Sequence, residues 1–450
     1  MLKDYAIDKP ILETDRLIIR VLNENDVADL KEWLGKDEIY TYWGRKASKG
    51  EKNPELLFID ARPWVKRKPS LDLDWGNCIR YMKKKVKTAR IIGIVLLAVL
   101  AVLFVIVSGT YIFHKIKTAQ EIKLLKANGY YNPVSVGDYS LNVAIFGKRD
   151  GEHTIVSLAG LGMADYSVTE RRMTECLEKE NTVIFIDRAG YGLSDDTDND
   201  MTIDYIVEDY RKALNNAGVK APYILMPHSI GGAYASYWVS KYPDEIEAIV
   251  FLDGTQLSDN MELEEIEIGF GDKAEVFLAK LGFGRYVLRK ECFLYPNGFT
   301  EEEQNMGDAL NLMSMDSYAC LSENDFHNQN LTDAWNGIIT NDVPKLYICA
   351  SWGFQNVDEL IENSKWLNNQ IVKNNIDTKL RPTEYEGNED YFDTMLAQCE
   401  DARNTKLTPY LEKMGNCELV LLGGDHAIYE QRPEECGNIV LEFINGLDVD

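Results

Sequence analysis

From residue 131 onward the hydrophobic positions fall into short runs separated by stretches of helical period. Residues 139–146, 153–159, 182–187, 223–226, 248–253, 345–350 and 418–422 are apolar runs of strand length. Short apolar runs alternating with helices predict an α/β architecture, a mostly parallel sheet with crossover helices on its faces. Residues 258–340 interrupt that rhythm with mostly helical, acidic and aromatic sequence. They predict a helical insertion between the strand that ends at Asp253 and the one that starts at Lys345. A different pattern precedes the sheet. Residues 91–113 form an uncharged apolar run long enough to cross a bilayer as a helix. Still earlier, residues 11–22 have strand character, residues 23–26 look like a helix start, and residues 27–34 have the spacing of an amphipathic helix.

Charge sharpens this division. The 450-residue chain carries a net charge of −25, with −1 on residues 1–76, +6 on residues 77–90 and −30 on residues 91–450. So acidic a body argues against a nucleic-acid surface. Both flanks of the apolar run are basic. The first is denser, with Arg80, Lys83, Lys84, Lys85, Lys87 and Arg90 against Lys115, Lys117, Lys123 and Lys126. The positive-inside rule then puts residues 1–90 in the cytoplasm and the remainder outside, as a single-pass protein of the cell membrane. Eight cysteines occur singly, without a Cys-x-x-Cys pair, and suggest neither a zinc site nor a small disulfide scaffold. The expected parts are residues 1–76, a basic segment 77–90, a transmembrane helix 91–113, and a main domain 127–450 with the insertion 258–340 inside it.

The candidate chemistry centres on Ser229, in Pro222-Tyr-Ile-Leu-Met-Pro-His-Ser-Ile-Gly-Gly-Ala. The serine stands at the joint between an apolar strand and a helix of small residues that runs toward Tyr242-Pro243. Gly231 and Gly232 let that helix come close to the strand, and its first free N–H groups face a reacting atom. This resembles the nucleophile elbow of the α/β-hydrolase family. One departure is Pro227, where the pattern has glycine. The resemblance implies an α/β-hydrolase fold whose insertion 258–340 serves as a lid, and a triad in the order Ser, Asp, His. His426, after the last strand in Leu421-Leu-Gly-Gly-Asp-His-Ala, stands where the family holds its base. The acid is Asp253, at the end of a strand, or Asp358, in the loop after the penultimate strand. The oxyanion hole would combine the N–H of Ile230 with that of Leu161, in Ala159-Gly-Leu-Gly-Met, where the family commonly has His in place of Ala159. Asp187-Arg-Ala-Gly-Tyr-Gly-Leu-Ser194 resembles the family's Asp-Arg-x-Gly-x-Gly-x-Ser loop, its glycines read as a tight turn beneath the site.

Residues 11–75, with Leu12-Glu-Thr-Asp-Arg-Leu-Ile-Ile-Arg20 and Asp26, resemble the opening of a GNAT-type N-acetyltransferase. That family binds the acetyl-CoA pyrophosphate on a Gly-rich turn, and no such turn follows before the chain becomes hydrophobic. A truncated fragment without cofactor binding is therefore expected, and an active acetyltransferase ranks last among the readings. The main reading is hydrolysis of an ester, or less readily an amide, through an acyl-Ser229 intermediate, without cofactor or metal. Its substrate is a small or lipid-like ester. Met261, Phe270, Phe277, Leu281, Phe283, Tyr286 and Leu288 are candidates for an acyl pocket or for ordinary core. The rival from another class is a non-catalytic binding protein that keeps the fold. Asp195-Asp-Thr-Asp-Asn-Asp200 suits calcium by its alternating carboxylates but lacks the glycine and terminal glutamate of a calcium loop.

Overall fold

A computed structural model of the chain describes residues 75–261, 263, 266–287, 295–296, 298–315, 317–373 and 389–447, together with 12–13 and 18–19. The chain divides into two compact units, residues 1–100 and 101–450. In the first unit, strands β1 (Leu12–Glu13) and β2 (Ile18–Ile19) pair antiparallel, Leu12 opposite Ile19. The single strand expected over residues 11–22 is thus, among the described residues, two short strands paired with each other. The helix expected over residues 27–34 lies outside the described residues.

Helix α1 (Trp75–Ala127) runs from the first unit into the second. Among the described residues it is the one helix long and apolar enough to cross a membrane. Its apolar stretch has a mean hydropathy of 3.3 and no part of it is buried in the protein. A core helix of that composition would be covered by protein on most sides; here Leu103, Phe104 and Val105 are open.

The second unit is built on an eight-stranded sheet in the order β10-β9-β8-β7-β5-β6-β4-β3. Its strands are β3 (Pro133–Ser135), β4 (Ser140–Gly147), β5 (Thr154–Leu158), β6 (Thr182–Ile186), β7 (Tyr223–Pro227), β8 (Ile246–Leu252), β9 (Lys345–Cys349) and β10 (Cys417–Leu421). Neighbours from β10 to β6 pair parallel, while β4 runs antiparallel to β6 and β3 antiparallel to β4. All seven apolar runs are strands. The short β3 escaped the pattern because its three residues alternate exposed, buried, exposed and begin with a proline.

Alternation across the pleat makes two cores from one strand. Leu225 joins Val156, Tyr210, Ala233 and Trp238 on one face, whereas Ile224 and Met226 join Ile155, Val440 and Ile444 on the other. Helices α2 (Ile203–Asn216) and α3 (Gly231–Lys241) cover the first face, and the last helix, Pro433–Leu447, covers the second. Strands β6 and β7 are buried along their whole length, as a parallel sheet between two helical layers requires.

Between β8 and β9 the insertion folds as α4 (Phe270–Lys280), α5 (Gly284–Val287), α6 (Glu301–Ser314), α7 (Tyr318–Asp325) and α8 (His327–Gly337). Leu310, Ala319, Leu331 and Ala334 tie it to the two cores. The apolar residues nominated for a pocket or core there behave otherwise. Phe270, Phe277 and Tyr286 face solvent, Leu281 and Phe283 are half-buried, and Met261 packs at the edge of the first core. Leu288 lies outside the described residues. The reason is that α4 buries its other side, through Val276 and Ala279.

Candidate active site

Strand order reverses at β5, which has β6 on one side and β7 on the other. A crevice opens outside the carboxyl ends of the strands at such a point. Ser229 follows β7 at this place. Its φ of 51° is left-handed, a conformation that costs an L-residue roughly 1–2 kcal/mol. The turn is closed around it: Gly231 N–H donates to the His228 carbonyl and the N–H groups of Gly232 and Thr255 to the Ser229 carbonyl, each at 2.9 Å. Two glycines supply the close approach that Pro227 cannot. A Cβ on Gly231 would stand 2.6 Å from the Leu158 carbonyl oxygen, and one on Gly160 would stand 3.1 Å from Ser229 Cβ and 2.8 Å from His228 Nδ1. Pro227 itself keeps extended strand geometry opposite Leu158, so glycine is needed beside the elbow rather than within the strand.

Asp253 follows β8 and is also left-handed, with φ 45°. Its Oδ1 accepts the N–H groups of Ala350 (2.8 Å) and Ser351 (3.2 Å), and its Oδ2 accepts Ser351 Oγ at 2.5 Å. The remaining bond reaches His426, whose Nδ1 donates to Asp253 Oδ2 at 2.7 Å. The His426 side chain is half-exposed while that of Asp253 is buried. Burial alone would lower the His426 pKa. The hydrogen bond to Asp253 and the charges of Asp253 and Asp425 outweigh it, so the imidazole titrates above its ordinary value. The other nominated acid, Asp358, is exposed in the first turn of helix Val357–Lys373, and among the described residues no hydrogen bond joins it to His426.

His228 lies under this pair. Fully buried, it approaches the carbonyl of His426 through Nε2 at 3.0 Å, and the two rings sit 4.5 Å apart. Burial, and then the proximity of His426, push its pKa down to about 3, so it stays neutral. Neutral, it donates from Nε2 and fixes the loop that presents His426. Ile230 follows Ser229 after β7, and Leu161 follows Gly160 on the loop after β5; among the described residues neither N–H has a backbone acceptor.

Sequence reasoning missed one element of the site. Arg188, read as part of a glycine turn, is buried and holds the loop after β5 by its two carbonyls. Nη1 donates to Ala159 O (2.6 Å) and Nη2 to Gly160 O (2.7 Å), while Nε donates to Glu323 of α7 at 3.1 Å. Glu323 also accepts from Tyr234 of α3 at 2.6 Å. The guanidinium therefore gives the Ala159 loop a support other than the missing histidine. The turn glycines do what the sequence suggested, with φ of 74° at Gly190 and 52° at Gly192. Two of the four carboxylates considered for calcium are spent on the protein: Asp195 accepts Ser140 N–H, and Asp196 accepts Lys280, Ser317 and the Ala319 N–H.

A family model described as alpha/beta hydrolase fold matches residues 154–273, from β5 through Ser229 and Asp253. The protein YbdG of Bacillus subtilis (strain 168) is 32% identical over 234 residues, which cover 49% of this chain and 68% of YbdG. The chain belongs to the α/β-hydrolase family. Another protein of Bacillus subtilis, YqjL, is 33% identical over 100 residues, 22% of this hydrolase and 39% of YqjL. Among solved structures, the enol-lactonase of Burkholderia xenovorans LB400 shares 16% identity at a TM-score of 0.43, covering 70% of the hydrolase and all of the lactonase. An ancestral haloalkane dehalogenase shares 16% at 0.46, with 71% and 100% covered.

Proposed function

We propose that residues 127–450 are a serine hydrolase that cleaves an ester, through an acyl enzyme on Ser229, with His426 as base and Asp253 as the acid that orients it. The observation that carries this reading is the 2.7 Å bond from His426 Nδ1 to Asp253 Oδ2, together with a serine held left-handed directly after β7. With Nδ1 occupied as donor, Nε2 is left to accept a proton. Ser229 Oγ attacks the ester carbonyl carbon and its proton passes to His426 Nε2. The oxyanion takes the N–H groups of Ile230 and Leu161. Collapse expels the alcohol, which leaves with the proton from His426. Water then attacks the acyl-serine, giving up a proton to the same nitrogen, and the acid departs as Ser229 recovers its hydrogen. The chain would need no cofactor or metal for these steps.

Labelling with a fluorophosphonate probe tests the reading. Ser229→Ala should abolish labelling and reduce p-nitrophenyl ester turnover by several orders of magnitude. Equal turnover by the folded variant would put the nucleophile elsewhere, and neither labelling nor turnover in the parent would leave a binding protein of the same fold.

The anchoring belongs to the same proposal. Residues 91–113 would cross the cell membrane, with residues 1–90 cytoplasmic and the hydrolase domain outside. The insertion 258–340 would act as its lid. Residues 1–76 would be an acetyltransferase-like remnant, since the pyrophosphate of acetyl-CoA needs converging N–H groups that its sequence does not supply. Isothermal titration of the full chain with acetyl-CoA should show no heat of binding; micromolar binding would make the remnant a working domain.

A further inference from the structure

Helix α4 is amphipathic in an unusual sense. At about 100° per residue, Phe270, Ala274, Phe277, Leu278 and Leu281 follow the spacing i, i+4, i+7, i+8, i+11 and share one face. Phe270, Phe277 and Leu278 on that face point away from the protein, with Ala274 and Leu281 half-buried. Val276 and Ala279, on the opposite side, are the residues α4 buries, while Phe270 is 89% exposed, Phe277 55% and Leu278 46%. The surface continues into α5, where Tyr286 is 59% and Val287 72% exposed. Lys273 and Glu275, also exposed, lie on the two flanks of the stripe rather than within it. An apolar surface of this extent on a soluble domain marks an interaction site.

What covers it follows from where α4 ends. The turn after it packs on α1 at the last helical turn of the apolar run: a Cβ on Gly282 would stand 2.7 Å from the Thr110 carbonyl oxygen and 2.7 Å from His114 Cβ. Arg285 then fastens α5 to the next turns of α1. Its Nε donates to His114 Nδ1 at 3.0 Å, Nη2 to Thr118 Oγ1 at 2.9 Å, and Nη1 and Nη2 to the Glu121 carboxylate at 2.7 and 2.6 Å. Thr110 to Glu121 is 11 residues, or about 16 Å of helix. The contact therefore begins inside the apolar run and ends beyond it. If α1 crosses a bilayer, this attachment holds α5 and the carboxyl end of α4 at the level where acyl chains give way to headgroups.

We propose that the exposed face of α4 and α5 is a membrane-contacting surface, seated in the headgroup–acyl boundary of the bilayer that α1 crosses. This rests on the reading of α1 as a membrane span. Such a helix buries its apolar face some 5–10 Å into the boundary and keeps its charged flanks in the headgroups, a role that fits Lys273 and Glu275. The insertion that contributes Glu323 to the support of the Ala159 loop is thereby held against lipid. The ester substrate to which the site has access is then one resident in the bilayer, an acyl lipid.

The test uses the full chain reconstituted in vesicles of tritiated phosphatidylcholine, with p-benzoylphenylalanine incorporated in place of Phe270, Phe277, Phe104 or Asp244, one at a time. Phe104 lies in the apolar run and Asp244 is exposed on the body of the domain. Irradiation should attach lipid at positions 270, 277 and 104, and none at 244. Lipid at 104 but not at 270 or 277 would overturn the proposal while leaving the span intact. No lipid at 104 would remove the span and the proposal with it. An adduct of twice the chain's mass from 270 or 277, without lipid, would show a second copy on this face and also overturn the proposal. None of these outcomes depends on whether Ser229 is a nucleophile. As a second readout, Phe270→Glu with Phe277→Glu should lower hydrolysis of a vesicle-borne acyl ester at least tenfold and leave p-nitrophenyl acetate turnover in detergent unchanged; equal loss on both substrates would refute the lipid-access role.

Discussion

The bond between His426 and Asp253 sets the pH at which the site can work. Only a neutral imidazole accepts the serine proton, and its pKa is raised above the ordinary 6.5. The kcat/KM profile should therefore rise through an acid limb above that value, as read from p-nitrophenyl ester turnover across pH. Asp253→Asn should move the limb down, because the hydrogen bond and charge that raise the pKa are gone, and should lower kcat by about 10⁴-fold. The same shift acts on folding: protonated His426 stabilises the fold below pH 6.5, and that contribution is lost as pH rises through the raised value. Arg188 offers a second residue-level expectation. Removing one member of a buried ion pair leaves its partner uncompensated, at a cost of about 3–5 kcal/mol. Arg188→Met should show that loss in urea unfolding, together with a fall in kcat as the Ala159 loop loosens. Adding Glu323→Gln should recover part of the stability and none of the kcat, since the carbonyls of Ala159 and Gly160 still lack their donor.

At the level of elements, the elbow depends on how closely α3 approaches β5. Gly231→Ala would drive a methyl group to 2.6 Å from the Leu158 carbonyl, and relieving that overlap should cost about 1–3 kcal/mol. Thermal unfolding should show a lowered midpoint, with ester turnover falling further than stability alone explains. Gly271→Ala, in α4 with nothing within 4 Å of the added Cβ, should leave both unchanged or raise the midpoint slightly. Helix α4 also shows how an apolar spacing can mislead. Its stripe reads as pocket lining or core in the sequence, yet the residues that turn inward are the smaller Val276 and Ala279. Spacing fixes which residues share a face, not which face meets the protein.

For the whole molecule, the distribution of charge gives the expectation that can be checked in cells. The denser basic flank precedes the apolar run and the acidic body follows it. Protease added to intact cells, or to spheroplasts where a wall blocks access, should remove residues 127–450 and spare the amino end. Complete protection of the hydrolase domain would reverse the assignment.

The sequence by itself determined the strands and their class, because burial on both faces of a parallel sheet demands continuous apolar runs and these are visible without partners. It also determined the elbow, whose small residues at Gly231 and Gly232 are local requirements of a strand turning sharply into a helix. The long apolar run was legible for the same reason, as a property of consecutive residues. Tertiary structure decided what depends on distant chain segments meeting. Asp253 and Asp358 were equivalent as letters, and only the packing of β8 beside β9, with the His426 loop beyond, brings one of them to 2.7 Å. Arg188 could not be distinguished from a turn residue until Ala159, Gly160 and Glu323 were seen around it, and the outward stripe of α4 acquired meaning only when Gly282 and Arg285 were seen against α1. These are contacts across large sequence separations, where periodicity carries no information and the geometry of the folded chain alone selects the partner.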